Sequence, residues 1–326
     1  MTDNVLYYPY ISLPNNLWTF RTLLYYDNVG IIVPNDYIYD PDQHSDWMLQ
    51  LIKLNLVRQI DPLDFTRPDS FKKGFLDELL SPKRYINSKR RNFENGQYST
   101  IHVQKFDYGL IDALKELDLA RDCQDGSWYE VEPETAYMLM TYLATIISIQ
   151  DQILPITDIV RDRGRVRFIQ RRDVEKLNLR ERILEDILPL PAELSIKKLE
   201  KFKGKYQLEL TRFRRKIESL IIELNRYKDD INDFEELYKL RIEEIKDEKK
   251  FLVDKMKSPG FGKVFYGTIC TVSASGIAIA DTPTEKLIWS APSLVSTAYR
   301  VVASYRQNEI LKKKDFRYLA LVDKKL

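Results

Sequence analysis

The first third of the chain alternates short apolar runs with segments whose apolar residues recur every three or four positions. The apolar runs are β-rich, and the periodic segments begin with residues that cap helices well, Asn15 or Asn16 and Ser45 or Asp46. The pattern therefore predicts strands at 6–11, 29–34 and 57–62, separated by helices at 14–27 and 45–56. A β-α-β-α-β order of this kind is typical of a layer with parallel strands.

The pattern continues with less regular spacing as far as residue 148. It predicts a helix in 68–82, a strand at 99–106 and an amphipathic helix at 107–119. A strand that starts at Trp128 ends at Pro133 and passes into a helix up to residue 148. This last helix is apolar on most of its surface, so we expect it at the centre of the core.

A different pattern begins at Leu194. Apolar residues follow one another in steps of three or four as far as residue 238, and the other faces are densely charged. One unbroken helix over 194–257 would be on the order of 90 Å long. We predict instead an antiparallel, coiled-coil-like hairpin, with the turn or helix cap in the polar stretch 228–233.

The C-terminal part contains a long uncharged segment. Residues 264–280 carry no charge, but serines and threonines dilute their hydrophobicity, so a buried helix is favoured over a membrane span. Residues 316–322 are predicted to be a last strand that returns to the sheet. The predicted fold class is thus α+β: a mixed α/β domain with a partly parallel sheet (1–193), a helical region (194–310) and a C-terminal strand (311–326).

Composition and charge restrict the function more than they identify it. The 326 residues are 44% apolar with a formal net charge of +2, so no global field attracts nucleic acid or an anionic membrane. The cysteines, Cys123 and Cys270, form neither a disulfide framework nor a metal-ligand spacing. No signal-peptide pattern opens the sequence, and a cytoplasmic location is expected. The P-loop, dinucleotide, zincin and hydrolase-elbow motifs do not occur.

The tyrosines of the opening LYYPYI stretch have two interpretations. They could form an exposed platform on which bases stack, or they could belong to a core strand. Both faces of the predicted strand are bulky, as in strands that are covered on both sides. We therefore predict that these tyrosines pack in the core.

Acidic residues give two weak indications of metal chemistry. The loop DPDQHSD combines carboxylates with one of the two histidines, in the candidate set Asp40, Asp42, His44 and Asp46. Further carboxylates stand near predicted strand ends, as in two-metal nucleases: Asp61, Asp64, Glu130, Glu132 and Glu134. For both sets, loop formation and helix capping is the simpler interpretation.

Two basic clusters are the strongest local signal for a binding function. One contains Lys89, Arg90 and Arg91, and the other places four arginines at alternate positions, Arg161, Arg163, Arg165 and Arg167. In an extended segment those four would share one face, which suits phosphate or another polyanion. A solvated or salt-bridged surface is the competing interpretation.

Three motifs resemble an uncharacterised bacterial protein family of unknown function. They are LYYPYI with the later YYDNVGIIVP, WYEVEPETAYMLMTYLA followed by PITD, and LPLPAELSIKKLEKFKGKYQLELTRFRRKI. The resemblance covers most of the chain. It implies a bacterial origin, and it brings no catalytic residues.

Together these observations favour a non-enzymatic bacterial interaction protein. Its hairpin would bind a partner protein or a second copy of the chain, for example as an accessory subunit of a stress or phage-defence system. No cofactor is expected. The alternative is a nucleic-acid-binding protein or metal-dependent nuclease that uses the arginines, and a third hypothesis is a conditional membrane effector that acts through 264–280.

Overall fold

A computed structural model of the chain describes residues 4–81, 96–124, 126–159, 171–188, 190, 195–257 and 315–326. The chain divides into two compact units. The first comprises Met1–Glu181 with Ser195–Glu200, and the second comprises Arg182–Leu194 with Lys201–Leu326.

The first unit is built on a parallel sheet, as its alternating pattern predicts. Within the described residues its strands are β1 Asn4–Tyr7, β2 Asn28–Ile32, β3 Val57–Ile60, β4 Ser99–His102, β5 Ala120–Asp122, β6 Trp128–Val131 and β7 Leu154–Ile156. The main sheet has the order β3-β2-β1-β7, and every pair in it is parallel. Because β1 is central in this sheet, its side chains are covered on both faces, and Leu6, Tyr7 and Tyr8 are fully buried.

Helices connect and cover these strands. Their bounds are α1 Leu17–Tyr25, α2 Asn35–Tyr39, α3 Asp46–Lys53, α4 Leu63–Thr66, α5 Asp69–Leu79, α6 Tyr108–Glu116 and α7 Pro133–Asp151. The next helix, α8 Arg171–Ile187, begins in the first unit and ends in the second. The predicted caps are confirmed for two of them. The side chain of Asn16 accepts a hydrogen bond from the amide of Thr19, and Ser45 accepts one from Met48.

A second, small sheet lies in the same unit. Its order is β4-β6-β5 with antiparallel pairing, and the register places His102 opposite Trp128. The strand predicted at 99–106 is therefore shorter than expected, because a 3₁₀ turn at Val103–Lys105 replaces its second half.

The core of the first unit gathers around α7, which the sequence predicts to be central. Residues on several sides of this helix are buried, among them Met138, Leu139 and Met140. They belong to one apolar cluster that also includes Tyr8 of the opening stretch and Phe75 of α5. The predicted core role holds for Tyr7 and Tyr8, whereas Tyr10 is exposed beyond the end of β1.

The second unit is helical within the described residues. Its further helices are α9 Ile196–Lys205, which begins in the first unit, α10 Gln207–Leu224, α11 Ile231–Lys257 and α12 Arg317–Lys325. The helix break predicted at 228–233 is confirmed, because α10 ends at Leu224 and α11 begins at Ile231. The carboxylate of Asp230 caps α11 by accepting hydrogen bonds from the amides of Asn232 and Asp233.

The prediction of a C-terminal strand is wrong. Residues 317–325 form α12, and Tyr318, Leu319, Ala320, Leu321 and Val322 are all buried. The ring of Tyr318 stacks on Phe213 of α10 at 5.5 Å between centroids, and Lys249 of α11 pairs with Asp323. A short, continuously apolar run fits a buried helix as well as a strand, so its period could not distinguish the two.

In the described part of the chain, no helix is long and apolar enough to cross a membrane. The uncharged segment 264–280 lies outside the described residues.

Candidate functional site

A cleft of about 1450 Å³ opens in the first unit where β1 and β7 end. Residues 9–12, which follow β1, and Ile159, which follows β7, contribute to its wall. From β1 the chain proceeds through β2 to β3 on one side, whereas β7 lies on the other side of β1. Parallel sheets bind ligands at such a reversal of strand order, outside the carboxyl ends of the strands.

The small sheet, the start of α7 and three residues between β2 and α3, namely Tyr37, Gln43 and Ser45, contribute further to the wall. Residues 97–102, Trp128 and the first two turns of α7 line the cleft. The lining residues of α7 are Pro133, Glu134, Ala136, Tyr137, Met138, Met140 and Thr141, so the cleft is in contact with more than one side of the helix start.

Aromatic side chains are prominent in this wall. Tyr10 and Tyr98 are 55% and 47% exposed, so both can reach a molecule in the cleft. Behind them, the buried ring of His102 meets the edge of Trp128 at 5.0 Å and lies 6.0 Å from Tyr37. Aromatic faces with hydrogen-bonding tips suit a ligand that is planar and partly polar.

The cleft also contains one buried amine. Lys105 is only 4% exposed, and it lies in the 3₁₀ turn directly after β4. Its Nζ donates a hydrogen bond to the carbonyl oxygen of Pro9 at 3.2 Å and lies 4.0 Å from the sulfur of Met140. Among the described residues, no carboxylate lies within ion-pair distance of this amine.

Burial changes the protonation of Lys105. Removal from water disfavours the ammonium form and lowers the pKa of Lys105 from 10.5 to about 7. At neutral pH a substantial fraction of this side chain is therefore an uncharged amine with a free lone pair. Such an amine is a nucleophile and a base, which an ordinary lysine at pH 7 is not.

Glu132, the buried acid of the cleft, is the N-cap of α7. Its carboxylate accepts hydrogen bonds from the amides of Glu134 and Thr135 and from the Thr135 hydroxyl, at 3.2, 2.7 and 2.7 Å. This confirms the capping interpretation for Glu132. Asp61 is used in the same way, since it accepts from the amide of Leu63 ahead of α4.

The metal candidates of the DPDQHSD loop do not meet at one point. Asp40, Asp42 and Asp46 are exposed, whereas His44 is buried, with its Nε2 2.9 Å from the amide nitrogen of Gln59. Burial lowers the pKa of His44, and the backbone carbonyl of Tyr37 offsets this in part. In the described ranges, no three His, Cys, Asp or Glu side chains are grouped so that they could hold a metal ion.

The polyanion-binding candidates cannot be placed. Lys89, Arg90, Arg91 and the four alternating arginines, Arg161, Arg163, Arg165 and Arg167, all lie outside the described residues.

Reasoning from the sequence missed both the cleft and Lys105. Lysine in the stretch HVQKF looks like an ordinary polar position of an alternating strand. A signal was present in part, because Lys105 stands next to Phe106 in a segment with few other charges. The burial, however, arises from Pro9 and Met140, which are far away in the sequence.

No family model, characterised protein or solved structure matches the chain in comparisons with known proteins.

Proposed function

We propose that the first unit is a binding domain for a small organic ligand with a planar part and hydrogen-bonding groups. The observation that carries this proposal is the position of the aromatic cleft at the carboxyl ends of β1 and β7, where the strand order reverses. The ligand would lie between Tyr10 and Tyr98, with its polar groups near Ser12, Thr100 and Thr141.

A capture experiment tests this function even though the identity of the ligand is open. The purified full chain is incubated with a deproteinised extract of small molecules, recovered by ultrafiltration and denatured, and the released compounds are identified by mass spectrometry. We expect wild type to retain a defined compound, and Tyr10→Ala with Tyr98→Ala to reduce its retention at least tenfold.

The chain offers matched controls for this experiment. Tyr39 and Tyr108 are 83% and 68% exposed and lie outside the cleft, so Tyr39→Ala with Tyr108→Ala removes the same atoms elsewhere. These variants should retain the compound as wild type does. If both pairs of substitutions reduce retention equally, or if wild type retains nothing more than heat-denatured protein does, the proposal is refuted.

We also propose that the second unit associates with a second copy of the chain. The observation in its favour is a group of exposed apolar side chains around the turn between α10 and α11, namely Ile222, Tyr227 and Ile231. A two-fold contact places such a patch against the same patch of the second copy, so that apolar side chains meet apolar side chains.

Sedimentation velocity tests this second function. We expect a concentration-dependent dimer that Ile222→Glu with Ile231→Glu converts into a monomer, whereas the control Lys228→Glu in the same turn leaves it dimeric. A wild-type chain that stays monomeric up to about 100 µM, some 100-fold above the Kd of a micromolar complex, would rule out association through this patch.

A further inference from the structure

Three geometric facts distinguish Lys105 from the other described lysines. Its side chain is buried, it lines the aromatic cleft, and its amine faces two acceptors, the Pro9 carbonyl and the Met140 sulfur. An ammonium group has three hydrogens to place, whereas a neutral amine has two hydrogens and a lone pair. With two acceptors and no carboxylate in the described surroundings, the site pairs both hydrogens of the neutral amine but only two of the three hydrogens of an ammonium group.

We infer that the amine of Lys105 is the reactive group of the cleft and forms an imine with the carbonyl carbon of an aldehyde or ketone ligand. This deepens the proposed ligand-binding function and rests on it. The ligand class follows from the site, since a cleft that is lined by a neutral amine and by aromatic side chains combines a nucleophile with a surface for a planar carbonyl compound.

The proposed step is balanced without any redox partner. The nitrogen lone pair attacks the carbonyl carbon, the carbon–oxygen π bond becomes an oxyanion, and a proton from the nitrogen passes to it through solvent. The nitrogen lone pair of the resulting carbinolamine then expels the hydroxyl group, which takes up a proton from solvent and leaves as water, and the remaining proton on the nitrogen passes to solvent. The product is a carbon–nitrogen double bond between the ligand and Nζ, and water reverses the reaction.

The competing explanation is that Lys105 only braces the loop after β1 through its bond to Pro9. In that case the amine would be protected rather than reactive. The two explanations differ in the reactivity of wild-type protein at neutral pH, so the decisive readout needs no substitution.

The test uses benzaldehyde as a planar probe and sodium cyanoborohydride, which reduces an imine to a stable secondary amine. Wild-type protein is treated at pH 7, and the modified lysines are identified by peptide mapping. At this pH the neutral fraction of Lys105 exceeds that of an ordinary lysine by on the order of a thousandfold. We expect Lys105 to be modified at least tenfold faster than any described lysine on the surface.

Lys115 is the internal control. It is ion-paired with Asp122, and that hydrogen bond raises its pKa, so its modification should need a much higher pH. The rate at Lys105 should be half-maximal near pH 7, whereas the rate at Lys115 should still rise above pH 9. Two further compounds separate the reactivity of the amine from binding in the cleft. Acetone is a smaller ketone and tests the reactivity of the amine without an aromatic ring. Benzyl alcohol has the ring but no carbonyl, so it can only compete for binding.

The outcomes distinguish this inference from the proposed function. Modification of Lys105 at pH 7 that benzyl alcohol slows supports both. If the cleft retains a ligand in the capture experiment but Lys105 reacts no faster than Lys115, the inference is overturned and the binding function stands. A Lys105→Arg variant that keeps the wild-type near-ultraviolet circular dichroism should lose the adduct, and an undiminished adduct in it would also overturn the inference.

Discussion

Basic side chains in the two units of this protein can be compared through Lys105 and through two paired arginines. In the first unit, Lys105 is buried at the edge of a cleft and has a carbonyl and a thioether as neighbours. In the second unit, the ion pairs of Arg182 with Glu235 and of Arg241 with Glu223 lie on helix surfaces in contact with solvent. Lys105 is thus a costly polar group inside its unit, whereas these two arginines are paired with carboxylates at the surface of theirs.

This difference indicates where function is to be sought. A buried amine without a carboxylate destabilises the fold, whereas an apolar residue of similar length would fill the same space at no electrostatic cost. Positions that are unfavourable for stability are frequent in functional sites. Exposed ion pairs contribute little to stability and need no such explanation.

If the second unit depends on packing, removing a large core side chain should have the largest effect. Phe213 is fully buried and its ring stacks on Tyr318. Phe213→Ala should lower the free energy of unfolding by about 3–5 kcal/mol. Hydrogen exchange should show faster exchange in α10 and α12, while strands β1–β3 keep their protection.

The control for this substitution is Leu208→Ala, which removes an exposed apolar side chain from the same helix. It should change the free energy of unfolding by less than about 0.5 kcal/mol. An equally large loss of protection in β1–β3 of the Phe213 variant would show that the two units do not respond separately.

Replacement of Lys105 should produce the second largest effect, and with the opposite sign. Because burial lowers the pKa of Lys105 in the folded state to about 7, the unfolded chain binds more protons between pH 7 and 10.5. The wild-type protein should therefore gain stability over this range, by up to about 1.4 kcal/mol per pH unit. Lys105→Met should be more stable than wild type at pH 7, by at most on the order of 4 kcal/mol.

Urea unfolding at several pH values from 6 to 10 measures this difference. It should be largest at the acidic end and should shrink as the pH approaches 10.5. Lys115→Met is the control with the reverse sign, because the pKa of Lys115 is raised by Asp122 in the folded state. That substitution should cost up to about 1 kcal/mol at neutral pH. A Lys105 difference that does not depend on pH would contradict the burial of an uncharged amine.

The cap of α7 should give a smaller effect. Glu132→Ala removes the acceptor for two amides and one hydroxyl at the start of this helix, so we expect a loss of about 1–2 kcal/mol. Glu134→Ala alters an exposed acid in the first turn of the same helix and should cost less than half as much. Thermal unfolding of both variants measures the two losses of stability. Equal losses would mean that the interaction of negative charge with the helix dipole, rather than the capping hydrogen bonds, stabilises this end of the helix.

Much of this architecture could be predicted from the sequence, because local signals agree with the tertiary packing. The parallel arrangement of β1, β2 and β3 follows from the alternation of apolar runs with segments of helical periodicity. The cap of α11 follows from an aspartate at the point where the helical periodicity of apolar residues is interrupted. The C-terminal helix was not predicted, because its five consecutive apolar residues, 318–322, fit a buried strand as well as a buried helix.

The candidate site was less accessible to such reasoning. Lys105 acquires its properties from Pro9, 96 residues earlier, and from Met140, 35 residues later. No pattern within one segment records contacts over such distances. The histidine and aspartates of 40–46 share only their proximity in sequence, and the fold turns His44 inward toward Gln59 while the aspartates remain in solvent.

The smallest effect belongs to the surface charges of the second unit. Arg241 donates to Glu223 of α10 at 2.7 Å and to Glu244 of its own helix at 2.8 Å, and both bonds raise the pKa of Arg241. All three side chains are in contact with solvent, so a double-mutant cycle of Arg241→Ala and Glu223→Ala should give a coupling of only about 0.2–1 kcal/mol. Raising the salt concentration from about 0.1 M to about 1 M should reduce it further, because the Debye length falls from about 10 Å to about 3 Å. A coupling of several kcal/mol that resists salt would mean that this pair is shielded from water, and the contrast between the exposed pair of Arg241 and the buried amine of Lys105 would then fail.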